Sequence, residues 1–94
     1  MNKDYEKLLI DAFNKWGYHT QMLIWVEEMS ELIQKLVKKE RKINPSFKNE
    51  IEEELADVTL CIDQMILLFP NYKKYREQKI ARLKRLVYDI EVKK

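Results

Sequence analysis

Glycine and proline are the residues that most readily interrupt a helix, and this chain carries them at three positions only: Gly17, Pro45 and Pro70. The rest is dominated by Leu, Ile, Lys and Glu, which argues for an all-α protein punctuated at those three sites. Ninety-four residues suffice for one small domain, residues 1–94, with little room for a second core. So short a chain has a modest core, and association of helical protomers is one way to bury more apolar surface.

Four helical segments follow from the apolar periodicity. The first runs from about Lys3 to Lys15, with Tyr5, Leu8, Leu9, Ala12 and Phe13 on one side and Gly17 as its C-terminal stop. The second runs from near Thr20 to about Lys42, with a stripe of Met22, Trp25, Met29, Leu32 and Leu36. The Asn44-Pro45-Ser46 break comes next, with Ser46 as the N-cap of the third segment. Ile51, Leu55, Val58, Ile62, Met65 and Phe69 mark the inward side of that segment, which Pro70 ends. Asn71 caps a fourth, reaching about Val92. Short connections favour antiparallel neighbours, so the expected protomer is a four-helix bundle.

No stretch is long and apolar enough to span a membrane, and the N-terminus lacks a signal-peptide pattern, which points to the cytoplasm. Cys61, the one cysteine, sits in an apolar run and reads as a buried thiol.

The acidic residues are patterned. Glu27-Glu28-Met29-Ser30-Glu31 lies on the second segment and Glu54-Leu55-Ala56-Asp57 on the third. Carboxylates three or four residues apart share one side of a helix, so two such helices can gather four acids at one place. Solvated glutamates are the ordinary reading of a charge-rich helix. Yet like charges at that spacing cost roughly 0.2–0.5 kcal/mol per pair, and no base lies three or four residues from Glu54 or Asp57. Oxygen ligands without His or Cys partners suit Mg²⁺ or Mn²⁺ rather than zinc. A di-iron bundle would need Glu-x-x-His pairs, and His19, the sole histidine, belongs to none.

Charge is also divided along the chain. Residues 1–71 hold 9 Lys/Arg against 13 Asp/Glu, whereas residues 72–94 hold 9 against 3. A basic helix of this kind suits nucleic acid, a polyphosphate or an acidic neighbour, and the acidic clusters favour a triphosphate over nucleic acid. Lys79 falls inside the apolar stripe set by Tyr72, Leu83, Leu86 and Ile90, where it can snorkel outward or reach an anion; Arg82 flanks that stripe.

Glu-Glu-x-x-Glu followed by Glu-x-x-Asp on the next helix resembles the signature of the all-α nucleotide pyrophosphohydrolases, the MazG-like proteins and dimeric dUTPases. The resemblance covers about Gln21 to Arg85. It implies Mg²⁺-dependent cleavage of a nucleoside triphosphate between the α and β phosphates, giving a monophosphate and pyrophosphate. By position it makes Glu28, Glu31, Glu54 and Asp57 the metal ligands, with Glu31 also orienting the attacking water. Glu27 supports the ligands or touches substrate, and Lys79 steadies the departing pyrophosphate. Lys79 and Arg82 correspond to phosphate-side residues; Gln21 lies where relatives contact the base, with Trp25 beside it. The family also implies a homodimer or homotetramer. No asparagine follows Asn71, so the sugar contact of several relatives has no counterpart here. Glu50 and Glu53 lie close to the Asp57 line and compete with Glu54 as ligands. The contrasting expectation is a non-catalytic helical module that binds a protein partner or nucleic acid through the basic last helix, with Tyr72 and Tyr75.

Overall fold

The computed structural model describes residues 1–38 and 45–88, which form three helices and no strand: α1 (Lys3–Lys38), α2 (Pro45–Leu68) and α3 (Tyr72–Tyr88). The all-helical expectation holds. The four-helix bundle is not formed: the elements number three and α3 buries no residue, α1 being two helical arms joined across the expected break at Gly17. There φ is 84° and ψ 163°, a conformation outside the helical region and essentially confined to glycine. Gly17 thus separates two helical arms, as expected of the residue that stops the first. The expected ends near Lys42 and Val92 lie outside the described residues.

A single side chain reveals how far α1 bends. The carboxamide of Gln64, on α2, accepts a hydrogen bond from Trp25 Nε1 at 2.6 Å and donates one to the Leu9 carbonyl at 3.0 Å. In a straight helix Leu9 and Trp25, sixteen residues apart, are separated by about 24 Å. One carboxamide cannot bridge that, so the two arms of α1 fold toward each other with Gln64 between them. Edge-to-face contacts from Phe13 to Tyr18 (5.8 Å) and from Tyr18 to Trp25 (6.2 Å) carry aromatic packing around the bend.

Local chemistry sets the ends. Asn2 caps α1: its Oδ1 accepts from the backbone N–H of Asp4 at 2.7 Å and of Tyr5 at 3.2 Å. Pro45 begins α2, where a missing N–H costs nothing, which puts Ser46 inside the first turn rather than at the expected cap. Leu68 ends α2 two residues before Pro70. At the start of α3 the Asn71 carbonyl accepts from the Lys74 N–H at 3.2 Å.

Packing is concentrated between α1 and α2. The buried apolar residues are Leu9, Trp25, Val58 and Cys61, joined by three buried polar ones, Gln21, Glu54 and Gln64. The buried side of α2 is therefore turned from the expected stripe. Val58 is inside, but Leu55, Ile62 and Phe69 are exposed while Glu54 and Gln64 are covered. α3 buries no residue at all. Among the described residues no helix is long and apolar enough to cross a membrane.

Candidate metal centre

The turned face of α2 delivers Glu54 and Asp57, one turn apart, toward the outer arm of α1, where Glu28 projects. Ligand oxygens of Glu28, Glu54 and Asp57 all lie within 4.8 Å of one another. That is about the distance between opposite ligands on a hard cation bound at roughly 2.1–2.5 Å. Glu54 is 4% exposed, and two carboxylate oxygens, Glu28 Oε2 and Glu54 Oε1, are buried without a hydrogen-bond partner. An orphaned buried oxygen is costly, and a cation between these carboxylates would satisfy both. The donor set fits a hard divalent ion.

Electrostatics show the strain of collecting acids. Burial pushes the Glu28 carboxyl up to about 7, aided by a side-chain hydrogen bond with Glu54 and by the charges of Glu31, Asp57 and Glu54. Glu31 is also raised, first through its hydrogen bond with Glu54. Glu54 moves the other way. Its Oε2 accepts a 2.9 Å ion pair from Lys35 Nζ, the leading cause that holds its carboxyl below the usual range. Lys35 thus neutralises one acid of the cluster across the two helices, although its spacing four residues from Glu31 also suits a local pair within α1.

Beside the carboxylates lies a cavity of about 190 Å³ whose walls include Gln21, Trp25, Glu28, Asp57, Cys61 and Gln64. Gln21 and Trp25 therefore stand where a ligand held by Glu28 and Asp57 would extend. Trp25 is buried and its indole N–H is engaged by Gln64, so it serves as a wall and a core residue together. Gln64, two turns along α2 from Asp57 and on nearly the same line, joins the same wall. Burial pushes the Cys61 thiol up, the direction that holds a thiol unreactive.

The remaining expected residues are placed differently. Glu31 adjoins Glu54 without belonging to the close triad, and Glu27 is exposed next to it. Lys79 and Arg82 are exposed on α3 and do not line the cavity; Lys79 borders a separate open groove with Tyr72, Tyr75, Arg76, Ile80 and Leu83.

Comparison with protein-family models, curated proteins and solved structures finds no match, so the functional argument rests on these residues.

Proposed function

We propose that the protein is a Mg²⁺-dependent nucleoside triphosphate pyrophosphohydrolase of the MazG-like kind, releasing a monophosphate and pyrophosphate. One observation carries the reading: three carboxylates from two helices converge with two buried, unpartnered oxygens, next to a cavity. Glu28, Glu54 and Asp57 hold the ion, with Glu31 completing the set. Mn²⁺ is the alternative occupant. Bound there, a divalent ion neutralises phosphate charge and acidifies a water near neutral pH.

The chain's own residues do the rest. Glu31, whose carboxyl is raised by the neighbouring Glu54, is the group that orients the attacking water, and Glu27 supports it from the solvent side. Gln21 offers both a donor and an acceptor to a base edge, with Trp25 behind it. The cavity is smaller than the roughly 300–1,000 Å³ of most ligand pockets, so a triphosphate needs walls from elsewhere. A homodimer or homotetramer supplies them.

The test is incubation with ribo- and deoxynucleoside triphosphates, with Mg²⁺ or chelator, and identification of the products. Monophosphate and pyrophosphate, lost in Glu28→Ala and with chelator, are expected. Intact nucleotides throughout, with no metal-dependent nucleotide binding, would leave the carboxylates as a solvated face. The contrasting reading, a non-catalytic interaction module, draws on the bare basic face of α3. Nucleic acid there would bind with a steep salt dependence.

A further inference from the structure

Glu54 uses its two oxygens differently. Oε2 holds the ammonium of Lys35 at 2.9 Å, while Oε1 is buried with no hydrogen-bond partner. One carboxylate can therefore serve a cation with one oxygen and fix a lysine with the other. An ammonium has three N–H donors, and Glu54 takes one of them. Lys35 is also 35% exposed, so its remaining donors are open to an incoming anion.

The helix puts that ammonium at a defined point. Gln21, Glu28 and Lys35 are spaced seven and seven along the outer arm of α1, so they fall on nearly one line, about 10 Å from one to the next. The cavity occupies the Gln21–Glu28 half of that line, and the carboxylate cluster lies at its middle. Lys35 stands at the far end. A nucleotide whose base lies against Gln21, and whose phosphates reach an ion at Glu28, directs its terminal phosphates toward Lys35.

Charge calls for a base at that end. Glu28, Glu31, Glu54 and Asp57 bring up to four negative charges, a divalent ion offsets two, and a triphosphate adds more. Lys79 and Arg82, the bases expected there, lie on α3 and do not line the cavity. Lys35 is the base that the structure pairs with the cluster.

We infer that Lys35, anchored on Glu54 Oε2, is the phosphate-binding cation of this site and grips the pyrophosphate end of the triphosphate in place of Lys79. The assignment rests on the hydrolase reading and adds to it a residue of the same helix arm as Glu28. It also gives Lys35 two opposed effects. Against a bare ion its charge competes for Glu54, whereas toward an ion carrying phosphate it supplies charge-assisted hydrogen bonds.

Isothermal titration separates the two effects without turnover, first with Mn²⁺ alone and then with pyrophosphate in excess Mg²⁺. Lys35→Met should bind Mn²⁺ at least as tightly as wild type, but pyrophosphate about tenfold or more weakly. Lys35→Arg should restore most of the pyrophosphate binding. Lys79→Ala, on a helix that buries no residue, tests the assignment without risk to the fold and should stay within a few-fold of wild type. A purely structural role for Lys35 would weaken both ligands together, and mere neutralisation of Glu54 would leave pyrophosphate binding unchanged. Either result overturns the proposal, as does a tenfold loss in Lys79→Ala. A wild type that binds Mn²⁺ but no pyrophosphate in Mg²⁺ counts against the hydrolase reading itself, and the assignment falls with it.

Discussion

Lys35 Nζ stands 2.9 Å from Glu54 Oε2, so the carboxylate that reaches deepest between α1 and α2 already carries a cation from its own chain. Lys35 and a divalent ion therefore act on the same group. Lys35 is about one-third exposed and Glu54 nearly covered, so the lysine can swing to solvent while the carboxylate cannot.

Lys35→Met should destabilise the metal-free protein, because it leaves Glu54 buried without its counter-charge. It should also enlarge the stabilisation produced by Mg²⁺, since the ion then neutralises the full charge. Thermal melts with chelator and with 5–10 mM Mg²⁺ separate the two effects. An equal Mg²⁺ increment in wild type and variant would show that Lys35 and the ion do not share Glu54.

Glu28 sets a pH dependence of opposite sense to the usual carboxylate. Its folded pKa, about 7, lies above the ordinary 4.5, so the folded state holds a proton that the unfolded chain has already released. The stability this proton contributes is present in full below about pH 4.5 and lost as pH rises toward and through 7. Glu54, with its lowered pKa, contributes in the reverse sense only below pH 4.5, outside that window. Metal-free protein should therefore melt lower at pH 8 than at pH 5.5, and Glu28→Gln should reduce the difference to the part contributed by Glu31, which is raised in the same sense. Mg²⁺ should also shrink it. A slope unchanged in Glu28→Gln would assign the effect to another group.

Gly17 is required by its dihedral angles and not by crowding, since a Cβ there meets nothing within 4 Å. Gly17→Ala should cost about 1–3 kcal/mol in chemical denaturation. Gly17→Asn should rescue little, because asparagine tolerates the left-handed helical region but not a ψ near 163°. Full recovery in the asparagine variant would mean that the bend relaxes to an ordinary helix cap.

Helical content was legible because three interrupting residues punctuate a helix-forming chain, and all three fall at a bend or near a helix end. Helical spacing made it legible that acids of two successive helices could gather; the set Glu28, Glu31, Glu54 and Asp57 came from the resemblance, and Glu31 stays outside the close triad. Which side of α2 faces α1 was not, since Leu55, Ile62 and Phe69 compete with Val58 and Cys61 for the interior. That choice fell to Gln64, whose two hydrogen bonds clamp both arms of α1 and turn Glu54 inward. Asn2 was missed as a cap because it precedes a weakly periodic stretch. For Lys79 the position in the α3 stripe could be read, but α3 buries no residue in its own protomer, so the stripe alone gives it no neighbour.

The choice of ligand among neighbouring acids gives the most discriminating test of the site. Glu50, Glu53 and Glu54 are close in sequence, but only Glu54 joins Glu28 and Asp57 within 4.8 Å and carries an orphaned buried oxygen. Glu54→Gln keeps the shape and removes one anionic ligand, and should weaken Mg²⁺ or Mn²⁺ binding at least ten- to a hundred-fold, the range seen when even supporting groups are lost. Glu50→Gln and Glu53→Gln should stay within a few-fold of wild type. Binding is read by isothermal titration with Mn²⁺, independently of any turnover. Equal losses at Glu50 and Glu54 would mean that the ion sits nearer the start of α2, and the triad would lose its claim to be the metal centre.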